Sequence, residues 1–273
     1  MRPWVLAEVN YGYVKENPYE VAVLPMGATE PHNLHLPYGT DTFEAETIAE
    51  QVCKAAFERG ARVVQLPTIP YGTETNLMAF PLAMNLNPST LSLVIGDLVA
   101  SLAQHGIRKL LILNSHGGND FKPVLRELQG RTPVHVFLCD WFRELTADVQ
   151  PQIFDSAGDH AGEMETAFGL AYFPHLVVHD PATGKLAADD GAVRSTRFTA
   201  VNQGWVSITR PWHLLTTNTG SGNPHAATAE KGRQVMQVIV ERLSSFLVEL
   251  AESPLDGRFP FVAGDAEQEK CLP

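Results

Sequence analysis

The sequence predicts an α/β fold, a three-layer α/β/α sandwich around a mostly parallel sheet. Apolar runs with few charges recur at residues 21–27, 61–72, 109–118 and 134–141, and such runs are typical of strands buried on both faces of a sheet. Segments with a helical spacing of apolar residues lie between them. Because strands that alternate with helices usually pair in parallel, this order favours helices on both faces of the sheet.

Five segments are predicted to be helices. The first ends at Gly60, and the second begins with a Ser-Thr pair and ends at Gly106, residue types that commonly cap helices. Neither an internal repeat nor a clear linker interrupts the chain, so we expect a single domain over residues 1–273 with a loop-rich insertion around 180–222. The predicted helices span residues 41–60, 89–106, 119–131, 158–173 and 224–253.

Composition and charge exclude several classes of function. The chain has 273 residues, of which 44% are hydrophobic, enough to bury a sizeable core. Its net charge of −11 argues against a nucleic-acid or anionic-membrane partner, since both require basic patches. No run approaches the ~18 apolar residues of a membrane span. Because Cys53, Cys139 and Cys271 are odd in number and far apart, we expect no disulfide framework and a cytoplasmic location.

Polar side chains follow the predicted strands at the points where the strands end. Glu30 and His32 come after the first strand, His116 comes after the third, and a polar segment from Asp159 to Glu165 precedes a helix. In an open parallel sheet, ligands bind outside the carboxyl ends of the strands. The three clusters are therefore expected to meet at one edge and to form a site.

The side chains at this edge are of the types that bind metals. Glu30 and His32 are two residues apart, so they share a face in an extended segment, and Asp41 returns to the same place after a loop. Carboxylate and imidazole ligands without a thiolate suit Zn²⁺, Mn²⁺ or Fe²⁺. Four to six such ligands are enough for two ions, which can share a hydroxide and polarise a carbonyl group.

Each of these residues also has an ordinary structural interpretation. Asp41 is a candidate N-cap of the first helix, and the cap and ligand roles are compatible. Glu44, one turn further along, is expected to be a surface charge that complements the helix dipole. Ser115 resembles half of a nucleophile elbow, but Leu113 stands where that motif needs glycine, so a serine nucleophile is disfavoured.

Four segments of the chain resemble the creatininase (creatinine amidohydrolase) family. The segments "PMGATEPHNLHLPYGTD" (25–41) and "LILNSHGGN" (111–119) are similar to the two signatures of that family. The segment "HAGEMETA" (160–167) resembles its third conserved element, and "GNPHAATAEKG" (222–232) resembles the start of its last helix. The four segments together extend over most of the chain.

The resemblance implies an α/β fold with a binuclear metal centre, often zinc or manganese, that hydrolyses a C–N bond. It also implies a homo-oligomer, commonly a hexamer. By position, Glu30, His32, Asp41 and His116 match metal ligands, with Asp41 as the bridge between the ions. His160 matches the histidine that transfers a proton.

The sequence departs from the family at several positions. A glutamate ligand of creatininase corresponds to Gly118 here, and Glu165 is the natural substitute. The usual glycine of the first signature is Asn33, and the family's F-P-G-T stretch is "FPLAM" (80–84). Because these last segments border the substrate pocket in the family, the substrate need not be creatinine.

The resulting hypothesis is an amidohydrolase that uses a hydroxide bridging two divalent ions, most simply Zn²⁺, with Mn²⁺ or Fe²⁺ as alternatives. The substrate is a small molecule with an amide, cyclic amide or formamide bond. His160 protonates the departing nitrogen, Glu163 orients His160 or carries the proton itself, and Trp141 forms an apolar wall. The alternative is a non-catalytic binding or scaffold protein stabilised by metal, which a site with an acid beside it argues against.

Overall fold

A computed structural model describes residues 1–156, 158 and 160–262, so that Asp159 and Cys271 lie outside the described residues. Four strands form one sheet in the order β2-β1-β3-β4, and every neighbouring pair is parallel. This arrangement confirms the predicted parallel sheet. The strands are β1 (Val21–Met26), β2 (Val63–Gln65), β3 (Lys109–Asn114) and β4 (His135–Asp140).

Helices follow the strands as the sequence predicts, and most begin or end a few residues inside the predicted limits. The α-helices are α1 (Tyr11–Glu16), α2 (Thr40–Glu58), α3 (Pro88–Gln104), α4 (Lys122–Leu128), α5 (Gln150–Ile153), α6 (Glu163–Tyr172), α7 (Thr199–Asn202), α8 (Trp212–Leu215) and α9 (Ala229–Glu252). Two 3₁₀ helices, Leu6–Glu8 and Pro174–Leu176, complete the described elements.

The sheet lies between two hydrophobic clusters, which give the three layers. One cluster joins the sheet to α2, α6 and α9 through residues such as Ile48, Phe168 and Ile239. The other joins the opposite face to α3 and α4 through residues such as Ile95 and Val124. β1 and β3 are buried along their whole length because they are covered on both faces.

The strand order places a crevice between the ends of β1 and β3. These two strands are neighbours, with Met26 opposite Asn114 at their carboxyl ends. The helices that follow them lie on opposite faces of the sheet, so the two connections diverge at this point. Ligands bind at such a switch point in open α/β sheets, and the loops carrying Glu30, His32 and His116 begin there.

The second predicted strand is much shorter than its apolar run. Only Val63–Gln65 forms a strand, because Pro67 and Pro70 cannot donate to a ladder of hydrogen bonds. The chain nevertheless continues beside β1, with Ile69 N donating to Pro25 O at 3.1 Å. This irregular segment therefore leads towards the same crevice and carries residues 72–86 over it.

The segment 180–222 contains two helices of four residues each and otherwise turns and irregular backbone. It brings Trp212 and Thr219 to the crevice, where Thr219 Oγ1 donates to Pro31 O at 2.9 Å. Among the described residues, no helix is both long and apolar enough to span a membrane.

Candidate metal centre

Asp41 is the centre of a buried cluster of carboxylates and imidazoles. Its Oδ1 lies 3.0 Å from His32 Nε2, and its Oδ2 lies 3.1 Å from His116 Nδ1. Glu30 Oε1 lies 2.9 Å from the same His116 nitrogen. All four residues are buried. One carboxylate thus faces two imidazoles, one through each oxygen.

Three histidines of the cluster share one arrangement. In each, one ring nitrogen contacts a backbone carbonyl while the other faces the carboxylates. Because a carbonyl oxygen only accepts, the contacting nitrogen carries a hydrogen. The inward nitrogen is the one that would bind an ion after giving up its proton, as in a metal-ligating histidine. The carbonyl contacts are His32 Nδ1 to Glu30 O at 3.0 Å, His116 Nε2 to Thr73 O at 3.2 Å and His160 Nε2 to Pro31 O at 2.9 Å.

The donor atoms form overlapping groups of the size that holds an ion. Within each group the atoms lie within 4.8 Å of one another, and the groups are Glu30–His32–His160, Glu30–Glu74–His116 and His32–Asp41–Glu165. Asp41 Oδ2 and both oxygens of Glu74 are buried without a hydrogen-bond partner. Buried anionic oxygens are costly unless a cation compensates them. The residues therefore fit divalent metal ions.

The cluster shifts the pKa values of its members in ways that reflect this charge. Burial alone would lower the pKa of His32, but Asp41 and the neighbouring carboxylates raise it well above its usual value. Burial would raise the pKa of Asp41, and the two imidazoles instead hold it well below its usual range. Burial raises the pKa of Glu165 to about 7. The carboxylates and imidazoles of the cluster therefore interact strongly with one another without a metal ion.

His160 lies at the edge of the cluster. Its Nδ1 is 3.7 Å from Glu30 Oε1, and its ring packs edge-on against Trp212 at 5.8 Å. Its backbone forms two hydrogen bonds with the backbone of Ser221, which lies in the segment before α9. Burial lowers the pKa of His160. A neutral imidazole whose free nitrogen faces the cavity is suited to accept a proton and then deliver it.

Glu163 is not brought into the cluster. Its side chain is buried, and Oε2 accepts from the backbone N–H groups of Asp155 and Ser156 at 2.9 Å each. Its other oxygen accepts from Lys231 of α9. These contacts tie the first turn of α6 to a loop and to α9. Glu165, in the same turn, does face the cluster and accepts from Ala161 N.

Two expectations about α2 are wrong. Gly39 occupies the N-cap position, and Asp41 is the second residue of the helix, so Asp41 is not the cap. Glu44 is fully buried and is not a surface charge. It lies three residues after Asp41 and therefore on the same face of the helix, which is the signal that the dipole argument overlooked. Burial raises the pKa of Glu44 well above its usual value.

The expected role of Trp141 as a pocket wall is also wrong. Trp141 is completely buried and packs against Phe168. Its Nε1 donates to Ser115 Oγ at 2.7 Å, and Ser115 Oγ donates to Glu44 Oε2 at 3.1 Å. This chain of hydrogen bonds satisfies the indole N–H, which needs a buried acceptor, and ends on Glu44 beside the cluster.

Glu74 is a member of the cluster that the sequence did not reveal. It is buried, and its Oε1 lies 2.8 Å from His116 Nε2. It belongs to an irregular segment without helical or strand periodicity, so no pattern pointed to it. Asn33, by contrast, replaces the glycine of the motif without difficulty, since its φ of 53° lies in a region that asparagine tolerates.

A cavity of about 320 Å³ opens above the cluster. Glu30, Asp41, His116 and Glu165 lie among its lining residues. The remaining lining includes Phe142, Arg143, Arg210 and Trp212, so the cavity joins a polar cluster to aromatic and cationic groups.

Curated relatives align with most of this chain or with a large part of it. The chain is 25% identical over 241 residues to the mycofactocin precursor peptide peptidase of Mycobacterium ulcerans (strain Agy99), an alignment that covers 85% of the chain and 86% of the relative. It is 30% identical over 188 residues to the creatinine amidohydrolase of Pseudomonas putida, which covers 60% and 70% respectively. Both relatives are named as hydrolytic enzymes.

Solved structures share the fold. A presumed creatinine amidohydrolase from Bacteroides fragilis NCTC 9343 superposes with a TM-score of 0.85 at 36% identity, covering 94% of this chain and 99% of that one. A creatininase described as its Mn form superposes at 0.67, and a mutant of Zn–Zn type at 0.68, each at 22% identity and over at least 92% of both chains. The sequence profile described as creatininase, creatinine amidohydrolase, matches residues 7–247. The chain belongs to the creatininase family.

Proposed function

We propose that this protein is a metal-dependent amidohydrolase that cleaves a C–N bond of an amide, a cyclic amide or a formamide. The observation that carries the proposal is Asp41, whose two oxygens face His32 and His116 in a buried cluster at the floor of a cavity. The names of the relatives support hydrolysis of bonds of this class.

The ligand set that we propose has two halves joined by Asp41. Glu30 and His116 hold one ion with Asp41, while His32 and Glu165 hold the other with the same residue. Zn²⁺ or Mn²⁺ suits these donors, with Fe²⁺ as an alternative, and solved creatininases are described with both Zn and Mn. When bound, such a pair of ions supplies a nucleophilic hydroxide at neutral pH and polarises a carbonyl oxygen.

We assign the transfer of the proton to His160. His160 holds a hydrogen on Nε2 through Pro31 O and keeps Nδ1 free. This nitrogen is the proposed carrier of the proton that the departing amine must receive. Both carboxylate oxygens of Glu163 accept hydrogen bonds, from Lys231 and from a loop, so we do not assign proton transfer to Glu163. Its proposed role is to fix the first turn of α6, which also contains Glu165.

The size of the cavity favours a small substrate. About 320 Å³ is near the lower end of the range for small-molecule pockets. Because one relative is named as a precursor peptide peptidase, the end of a peptide is the second candidate substrate.

The cytoplasmic location and the single-domain organisation stay predictions.

A homo-oligomer is the further partner that we propose. Within the segment 180–222, Phe198, Trp205 and Ile208 are 61%, 77% and 61% exposed. We propose that these side chains form one patch, since contiguous exposed apolar patches mark protein–protein contacts. Light scattering on the purified protein tests this, and a monomer at micromolar concentration would remove the proposal.

A screen of amide substrates tests the proposed function. The metal-loaded protein is incubated with formamides, cyclic amides and short peptides, and release of amine is measured beside a chelator-treated sample. We expect hydrolysis of at least one class, abolished by the chelator and restored by Zn²⁺ or Mn²⁺. Metal binding without hydrolysis of any class would favour the scaffold alternative.

A further inference from the structure

Glu74 is a buried carboxylate whose only ion-pair partner among the described residues is His116. Its side chain is fully buried, and neither carboxylate oxygen has a hydrogen bond within the described part of the chain. Its backbone is firmly placed, since Glu74 N donates to Asn85 Oδ1 at 2.7 Å and the preceding Thr73 N donates to Asn119 Oδ1 at 3.0 Å. A carboxylate buried in this way is costly unless a positive charge compensates it.

The neighbouring imidazole compensates this carboxylate only in part. Glu74 Oε1 lies 2.8 Å from His116 Nε2, but the same ring also faces Glu30 and Asp41 through Nδ1, so three carboxylates share one imidazole. Glu74 and Glu30 offer oxygens within 4.8 Å of each other and of a His116 nitrogen. Glu74 therefore faces the space that Glu30 and His116 also face.

Gly118 makes this arrangement possible. A Cβ at residue 118 would lie 2.3 Å from His116 Nε2 and 2.5 Å from Thr73 O. Any side chain there would displace the imidazole or the carbonyl that fixes its tautomer. Residue 118 is thus unable to supply a carboxylate to the centre, whereas Glu74 offers an oxygen close to the same imidazole.

We propose that Glu74 is a further ligand of the ion held by Glu30, Asp41 and His116. This assignment rests on the proposed metal centre and adds a donor to one half of it.

The assignment makes the two halves chemically different. The Glu74 half has three carboxylates and one imidazole, while the other half has His32, Asp41 and Glu165. Oxygen donors favour harder ions such as Mn²⁺. We therefore expect the Glu74 half to take up Mn²⁺ more readily, relative to Zn²⁺, than the other half.

The test measures metal binding and unfolding of Glu74→Gln, an isosteric change. We expect the affinity for one of two ions to fall at least ~10-fold, because an amide oxygen is a weaker donor than a carboxylate. With Mn²⁺, the electron paramagnetic resonance signal of a coupled pair should give way to that of a single ion. The metal-free variant should melt at the same or a higher temperature than the wild type, because a buried charge has been removed, and its Tm should gain less on metal addition.

Glu44→Gln is the matched control, since Glu44 is equally buried but belongs to none of the candidate metal groups. It should keep both ions. A Glu74→Gln protein with wild-type affinities and an unchanged coupled signal would overturn the assignment. Equal loss of metal in Glu44→Gln would overturn it too. So would a Tm of Glu74→Gln that falls below that of the wild type by the same amount with and without metal. Wild-type protein that binds no metal would instead remove the proposed centre itself.

Discussion

Asp41 is the residue on which both halves of the proposed centre depend. Its Oδ1 and Oδ2 face different imidazoles at 3.0 and 3.1 Å. Asp41→Asn should therefore release both ions together and abolish hydrolysis, because a neutral amide is a poor bridge between two cations. Elemental analysis and amine release measure the two effects. A variant that retains two ions and full turnover would show that Asp41 has no bridging role.

His160 and Glu165 should differ in their response to added metal. His160→Ala should keep both ions but slow hydrolysis by ~10²–10⁴-fold, the usual contribution of a general acid or base. The slowing should be greatest for amides whose nitrogen is a poor leaving group. Glu165→Gln should weaken one site and recover with excess metal. Recovery of His160→Ala by metal, with Glu165→Gln remaining inactive, would reverse the two roles.

His35 should make the fold sensitive to acid. It is buried, its Nε2 is 2.7 Å from Thr166 Oγ1, and burial with nearby imidazoles lowers its pKa to about 4. The unfolded chain takes up this proton near pH 6.5 and the folded chain only near pH 4, so stability falls as pH drops through that window, by roughly 3 kcal/mol in total.

His35→Gln isolates this contribution, because glutamine can still bond to Thr166 but does not titrate. Chemical unfolding of both proteins between pH 7 and pH 4 should show a shallower decline of the free energy of unfolding in the variant. Equal slopes would mean that His35 is protonated in the folded protein as readily as in the unfolded chain.

The sequence predicted which side chains meet where these belong to a recognisable motif, and it missed residues whose burial depends on packing. The roles of these side chains as metal ligands stay predictions. Glu30, His32, Asp41 and His116 come together as the motif spacing and the sheet edge imply. Glu44 and Glu74 were missed because a charged residue near a helix start or in a loop is usually exposed. Only the three-dimensional packing reveals that these two are buried.

At the scale of the elements, the contact between α6 and α9 positions the site. A Cβ at Gly232 of α9 would lie 2.2 Å from Ala167 O in α6, so the two helices meet backbone to backbone. Gly232→Ala should push them apart and destabilise the fold by roughly 1–3 kcal/mol. It should also weaken metal binding through Glu165, which lies two residues before Ala167.

Gly96→Ala is the control for this change. Gly96 lies inside α3, and a Cβ there would meet nothing within 4 Å. Alanine is the better helix former by about 1 kcal/mol, so this variant should be more stable than the wild type. Thermal unfolding compares the two, and destabilisation of equal size in both would show that close helix contact is not the cause.

Element prediction was accurate where periodicity was long and poor where short signals competed. The helices α2, α3 and α9 lie at the predicted places because each repeats its apolar pattern over several turns. The run 61–72 was too short to separate a strand from an extended coil, and its two prolines end β2 early. The irregular continuation that carries Glu74 has no sequence signature at all.

At the scale of the molecule, the fold brings together residues that are far apart in the sequence. The loops after β1 and β3, the start of α2, the irregular segment after β2 and the first turn of α6 all reach the crevice between β1 and β3. This convergence follows from the strand order β2-β1-β3-β4. The sequence predicted a parallel sheet, but the order of its strands depends on long-range pairing that no local pattern encodes.

The most direct test of the central claim is anomalous X-ray diffraction from crystals of the metal-loaded protein, measured at the absorption edge of the bound ion. We expect two peaks per chain, one between Glu30, Asp41 and His116 and one between His32, Asp41 and Glu165, with an oxygen of Asp41 on each. A single peak, no peak, or ions held away from Asp41 would contradict the binuclear centre and the hydrolysis derived from it.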